Sequence, residues 1–263
     1  MSDAPALSSA SDGHALDALR PCTESSAGVV PLLAAFVPAL ILSASAMGVS
    51  YTTLGVNLGF FFASVFVAAL VTPPLTSGEQ TPATRAAAGI GIVLGIGLLL
   101  LYAALHESIT LVDALSCAAV VGACVLCLTG VTLTLVRLAR LPPPVAAWIA
   151  IWLFLAWLSW PVWLSPWIAG RETLVSWLSA AHPLLSVNAQ LKHMGLWDEQ
   201  RYAYKMTALV RDVSYAPPTG VTWAVVVHSL VGSVSLAVGA GFYRLRNQAG
   251  QRWGQLGTDG IVR

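Results

Sequence analysis

The feature that most constrains this chain is the stretch from Ser25 to Gly78, which contains no Asp, Glu, Lys, Arg or His. At about 1.5 Å rise per residue, a helix of this length would cross about 30 Å of hydrocarbon twice. Only 10% of the 263 residues are charged and the mean hydropathy is +0.75, whereas about a quarter of residues are charged in soluble domains. The sequence therefore predicts an integral membrane protein, with the lipid bilayer as a partner.

Backbone amides in lipid must find their hydrogen bonds within the same segment, so we expect every crossing to be an α-helix. Pro73 and Pro74 are expected to end the second helix because proline has no amide donor. Pro183 is expected in the first turn of a short amphipathic helix between the fifth and sixth crossings. The prediction is an all-α integral membrane protein with six transmembrane helices near residues 30–47, 53–72, 86–105, 114–136, 145–168 and 221–243.

This prediction divides the chain into a tail over residues 1–28, a transmembrane domain over residues 29–243 and a second tail over residues 244–263. The transmembrane domain includes an amphipathic segment over residues 171–220. Most arginines of the short connections, among them Arg85 and Arg137, fall on one side of six crossings. The positive-inside rule then places both termini in the cytoplasm, and we expect a multi-pass protein of the plasma membrane.

Three polar or small groups within the predicted helices are candidates for contacts between helices. Gly91 and Gly95 are four residues apart in the third helix, a spacing that lets a neighbouring helix approach closely. Asn57 is expected to make a hydrogen bond between helices. His228 lies within the last helix and is expected to bond to a neighbouring helix; a proton relay and metal ligation are its alternatives.

Tryptophans crowd the fifth predicted helix toward its end, and indole rings favour the interface between hydrocarbon and headgroups. The candidates for such an aromatic belt are Trp157, Trp160, Trp163 and Trp167. A platform for haem or lipid is the alternative, although that helix contains no histidine to bind iron. We expect no cofactor.

Other functional classes lack their sequence signals. Cys124 and Cys127 have the spacing of a metal or redox pair but lie in an apolar segment, so we expect no metal site. The net charge is +1 with no block of Lys or Arg, which argues against a nucleic-acid partner. No phosphate-binding loop or nucleophile motif is present. We expect the chain not to be an enzyme.

Six crossings with cytoplasmic ends, a hairpin of the first two, and small helices before the last crossing resemble the permease subunits of type 2 ATP-binding-cassette exporters. The run from Pro74 to Glu79 is similar to the beginning of the motif that follows the second helix in that family. The motif continues there with an arginine and Gly-Thr, whereas this chain has Gln80 and no Gly-Thr at that point. The departure falls in a region through which those permeases contact their ATPase.

The resemblance implies a permease-like subunit of an ATP-driven exporter, with all chemistry in a separate ATPase subunit and no substrate specified. The alternative is a non-transporting structural or accessory subunit that packs against larger membrane proteins through its glycine face and short helices. Both interpretations expect a homo-oligomer or hetero-oligomer in the membrane.

Overall fold

A computed structural model describes residues 31–37, 39, 56–78, 81–105, 110–168, 171–191 and 220–259. Within these ranges the chain is helical and has no strand, which confirms the all-α prediction. Four of the described helices are long and apolar enough to cross a membrane. A membrane protein is therefore supported, whereas the two further crossings predicted near residues 30–47 and 53–72 are not established.

The first three candidate spans are separated by short connections, whereas 58 residues, which include a pair of short helices, lie between the third span and the last. The membrane-length segments are Pro82–Tyr102, Leu111–Arg137, Pro143–Trp163 and Thr222–Leu245. The amphipathic run predicted after residue 191 lies outside the described residues. The helices are α1 (31–37), α2 (Val56–Ser77), α3 (Pro82–Leu105), α4 (Leu111–Arg137), α5 (Pro143–Trp163), α6 (Ser165–Ile168), α7 (Glu172–Ala181), α8 (Pro183–Gln190) and α9 (Thr222–Asp259).

Helix α2 continues through two consecutive prolines, so the expectation that they end the helix is wrong. Side-chain hydroxyls supply donors to the backbone of this turn. The Thr76 hydroxyl donates to the Thr72 carbonyl at 2.8 Å, and the Ser77 hydroxyl donates to the Pro74 carbonyl at 3.2 Å. These bonds do not replace the amides that the prolines lack, because Pro73 and Pro74 leave the carbonyls of Ala69 and Leu70 without their usual donors. The helix is instead maintained while packed against α4 and α5, since neighbouring helices make proline tolerable in an apolar helix.

The predicted fifth and last helices differ from the structure at their ends. The fifth segment divides into α5 and α6, with a break at Leu164. Pro166 accounts for the break because it cannot donate to the carbonyl four residues earlier, while proline suits the first turn of a new helix. The last helix continues past Tyr243 to Asp259, and no proline after Pro218 interrupts it.

Helix α4 is at the centre of the bundle and contacts α2, α3, α5, α8 and α9. Half of its membrane-length window is buried inside the protein, compared with 17% for α9, which lies at the edge. The core between α3 and α4 is aliphatic and includes Ile92, Ile96, Val121 and Leu128. Helix α4 therefore sets the positions of the surrounding helices.

Backbone contact joins α4 to α9. A β-carbon added at Gly130 would collide with the carbonyl of Gly232, and one added at Gly232 would lie 2.7 Å from the Leu126 carbonyl oxygen. The Thr134 hydroxyl, one turn along α4, donates to the Ser235 carbonyl at 2.8 Å. Such close approach is typical of membrane helices that associate through small residues.

Candidate functional site

The most chemically distinctive region is a buried cluster of imidazole and indole rings. Trp157 of α5 lies between His182 and His228, with ring centroids 6.0 and 6.3 Å away. Trp160 approaches His182 edge to face at 6.1 Å, and Phe154 approaches His228 in the same way at 6.3 Å. Helices α5 and α9 and the turn between α7 and α8 meet in this cluster.

His182 is held by both of its ring nitrogens. Nδ1 accepts from the Leu185 amide at 3.2 Å and so caps α8, while Nε2 lies 3.0 Å from the Leu158 carbonyl of α5. An amide donates and a carbonyl accepts, so the proton must be on Nε2 of a neutral ring. Burial lowers the pKa of His182 from 6.5 to about 4; the bond to Leu158 opposes this shift and the charge of His228 adds to it.

His228 makes its hydrogen bond within its own helix. Nδ1 lies 2.8 Å from the Ala224 carbonyl, four residues earlier in α9. The sequence predicted a bond to a neighbouring helix, and the structure corrects that prediction because α5 presents aromatic rings at this point. The ring of His228, 4% exposed, packs against Phe154 and Trp157.

The four tryptophans predicted as a belt separate into two pairs. Trp163 and Trp167 are 53% and 79% exposed, so the belt interpretation stays a prediction for these two. Trp160 is only 1% exposed, which is the position of a core residue. Within the described residues, the buried indole nitrogens of Trp157 and Trp160 have no hydrogen-bond partner. Each unpaired donor costs about 1–3 kcal/mol, which the ring packing must offset.

A second polar contact joins α4 to α8. The Gln190 amide donates to Asp113 Oδ1 at 3.1 Å, and the Thr110 hydroxyl donates to Asp113 Oδ2 at 2.7 Å. Thr110 also caps α4 by accepting from the Asp113 amide at 3.2 Å. The carboxylate is 2% exposed, and its charge favours the first turn of a helix because the free amides there are partly positive.

A third contact joins α7 to α9. The rings of Trp177 and Trp223 meet edge to face with their centroids 5.0 Å apart. We call α7 and α8 together the short pair. The short pair is thus attached to α5 through His182, to α4 through Gln190 and to α9 through Trp177.

The other residues nominated by the sequence lie away from this cluster. Gly91 and Gly95 are buried on α3, and a β-carbon at Gly91 would collide with the Leu32 carbonyl of α1. The contact at Gly91 is therefore within the chain. Asn57 belongs to α2, but its side chain lies outside the described part of the structure.

The hydrogen bonds and ring contacts of this cluster join α5, α8 and α9 to one another. Both nitrogens of His182 are engaged, which leaves no lone pair for a metal ion. Among the residues that the structure describes, no three His, Cys, Asp or Glu side chains are grouped to hold a metal. Comparisons of the chain with protein-family models, curated proteins and solved structures find no match.

Sequence reasoning nominated neither His182, in the ring cluster, nor Asp113, in the contact between α4 and α8, as a site residue. Thr110 and Asp113 have the Ser/Thr-x-x-acid spacing of a helix start, which would have marked the beginning of α4. No sequence signal brings His182 to Trp157, because the two residues approach only when the chain reverses after α5.

Proposed function

We propose that this chain is a permease-like subunit of an ATP-driven exporter, embedded in the plasma membrane with both termini in the cytoplasm. The observation that carries the proposal is the attachment of the short pair to three different helices. In the proposed orientation, the short pair lies on the side of the membrane opposite Arg85 and Arg137 and covers that end of the bundle.

The attachments have properties that suit a movable cover. The side chains of Gln190 and His182 make polar contacts with α4 and α5, and a pair of rings contacts α9, while buried Val175 and Val187 add apolar packing. Each polar or ring contact contributes about 1 kcal/mol, so displacement of one helix can break it while the apolar packing keeps the short pair on the bundle. In the proposed mechanism, a separate ATPase moves the spans and the short pair opens or closes the path.

The test is to isolate tagged full-length chain from its native membranes in mild detergent and to identify the proteins that copurify. We expect an ATPase whose hydrolysis in liposomes depends on this chain. Gln190→Leu, which removes the bond to Asp113, should keep the ATPase bound and change its turnover. Thr173→Ala, on the exposed side of α7, is the matched control and should leave turnover unchanged. Repeated isolation without any ATPase would count against the proposal.

A second candidate function is a non-transporting accessory subunit, which the exposure of α9 favours. Leu230, Val234 and Val238 recur every four residues on α9 and are 63%, 54% and 46% exposed, which forms an apolar stripe on the outside of the bundle. Under this candidate, Leu230→Trp should separate the chain from a larger complex and leave any copurifying hydrolysis unchanged. Leu98→Trp is the control, because Leu98 is 51% exposed on α3, away from this stripe.

A further inference from the structure

A groove of about 600 Å³ opens between α3, α4 and α9, at the end of the bundle away from the histidine cluster. It reaches from Arg85 and Arg137 at one end to Leu94 and Gly122 at the other. The distance from Gly122 to Arg137 is about 22 Å along α4, at about 1.5 Å per residue. Half of a bilayer's hydrocarbon core is about 15 Å thick, so the groove has the length of one leaflet with its headgroup region.

The walls of the groove are apolar, and missing side chains create part of its width. Among the described residues, a β-carbon at Gly122 would contact Val93 at 3.9 Å and one at Gly89 would contact Val125 at 3.6 Å, with no closer neighbour at either position. The two glycines therefore leave room for a small side chain in the wall of the groove. Ile90 and Leu94 line the groove and are 53% and 49% exposed, so its mouth faces the surroundings of the bundle. An acyl chain of the bilayer can enter from the side.

Two guanidinium groups stand at one end of this apolar groove. Arg85 donates to the Gly78 carbonyl at 2.9 Å, and Arg137 lies over the ring of Tyr243 at 5.2 Å. The positive charges of the two arginines repel each other. Within the described residues, the contacts of neither guanidinium include a carboxylate, and the buried Nε of Arg85 has no hydrogen-bond partner. An anion placed here would relieve the repulsion and accept from a donor that otherwise has no partner.

We propose that the groove binds an anionic phospholipid of the surrounding membrane. The phosphate is held by Arg85 and Arg137, and one acyl chain lies along α3 and α4 past Gly89 and Gly122. The combination of two cations at one end with an apolar channel of leaflet length matches an amphiphile with an anionic head. A transmembrane helix of a partner does not match as well, because its apolar surface would leave both arginines unpaired.

The test is native mass spectrometry of the full chain, exchanged into phosphatidylglycerol or phosphatidylcholine of identical acyl chains. We expect phosphatidylglycerol to bind at least tenfold more tightly. The double variant Arg85→Gln and Arg137→Gln should abolish this preference, since a charged hydrogen bond is equivalent to about tenfold in affinity. Arg140→Gln is the control: Arg140 lies at the same end of the bundle, exposed and outside the groove, and its removal should leave the preference intact.

A second variant tests the acyl channel separately from the charges. Gly122→Leu should fill the groove and reduce binding of both lipids, whereas Gly97→Leu should not, because Gly97 is outside the groove and no described residue lies within 4 Å of a β-carbon placed there. If the arginine variant does not fold, the pair of glycine variants decides the question.

Three results would overturn the proposal. One is equal binding of both lipids by the unchanged chain. Another is displacement of bound phosphatidylglycerol by inorganic phosphate alone, which would indicate a simple anion site. The third is a dimer of this chain that Gly122→Leu dissociates, which would indicate a protein occupant. The proposal does not rest on an ATPase partner, so the copurification experiment and this one fail independently.

Discussion

Helix α4 has glycine on two sides, and the two sides are used in opposite ways. Toward α9, Gly130 meets Gly232 so closely that neither position has room for a β-carbon. Toward α3, Gly122 borders the groove, and in the described part of the chain a single atom, of Val93, lies within 4 Å of a β-carbon placed there. The same residue type therefore brings two backbones together on one side and leaves a gap on the other.

The difference shows that a glycine in a membrane helix leaves the volume of a side chain empty. The neighbouring residues determine whether another helix fills that volume. Thr134 and Ser235 add a hydrogen bond beside the Gly130 contact, so the helices are held together there. On the groove side, Arg85 and Arg137 bring like charges to the ends of α3 and α4, which opposes closure. Packing thus closes the contact between α4 and α9 at Gly130, and the like charges help to keep the groove beside Gly122 open.

The largest expected effect tests the closed side. Gly130→Ala places a methyl group against the Gly232 carbonyl, and the helices must separate to admit it. We expect a loss of stability of about 3 kcal/mol, at the upper end for overpacking. Thermal unfolding in detergent measures it. Gly241→Ala is the control because a β-carbon there lies more than 4 Å from every residue that the structure describes outside its own helix turn. If Gly130→Ala unfolds at the same temperature as the unchanged protein, the proposed difference between the two sides of α4 is wrong.

Acidification should loosen the short pair while the contact between α4 and α9 persists. The docked His182 has a pKa of about 4 against 6.5 when free, so the undocked state binds more protons between these values and docking weakens as pH falls. At pH 5 the loss is about 2 kcal/mol. Hydrogen exchange over residues 172–190 at pH 7 and pH 5 measures it.

The control for the acid effect is His182→Gln, whose neutral amide can still donate to the Leu158 carbonyl. This variant should lose most of the pH dependence. The expectation would be contradicted if hydrogen exchange in the variant rose with acid as much as in the unchanged chain.

A smaller effect is expected from the hydrogen bond beside the glycine contact. Thr134→Val keeps the shape of the side chain and removes the donor to the Ser235 carbonyl. Bonds of this kind between membrane helices average about 0.6 kcal/mol, so only a slight shift in the unfolding temperature is expected. Thr173→Ala on α7 provides the baseline for a surface threonine. A loss as large as that of Gly130→Ala would mean that the bond, and not the backbone contact, holds α9.

No loss is expected on the open side. Gly122→Ala adds one methyl group at ordinary contact distance from Val93 and gains helix propensity, so stability should stay unchanged or rise by up to about 1 kcal/mol. Unfolding measured in parallel with Gly130→Ala gives the comparison directly. A large loss at Gly122 would show that the groove is closed in the membrane.

Length and hydropathy were sufficient to predict the helical class and the approximate positions of the four candidate spans, because the need to satisfy backbone amides in lipid leaves helices as the choice. The helix ends were harder to predict. Pro73 and Pro74 were expected to terminate α2, but the helix continues to Ser77 while packed against α4 and α5, and a sequence pattern does not contain such packing.

The candidate site was predicted only in part. His228 and Trp157 were nominated separately, and nothing in their spacing indicates that His182 would join them. The glycine spacing in α3 is visible in the sequence and was nominated for helix packing. Gly130 and Gly232, in contrast, lie 102 positions apart and meet only in the folded bundle. Contacts across such separations depend on which helices become neighbours, and periodicity does not carry that information.

Helix α9 does not end where its membrane-length segment ends. That segment stops at Leu245, and the helix continues to Asp259, a further length of about 21 Å at about 1.5 Å per residue. Because the helix continues without a break, the extension moves with the membrane-length segment. A tilt of about 10° in that segment would displace the tip of the extension by about 4 Å. A protein bound at the tip would sense small reorientations within the bilayer, or impose them.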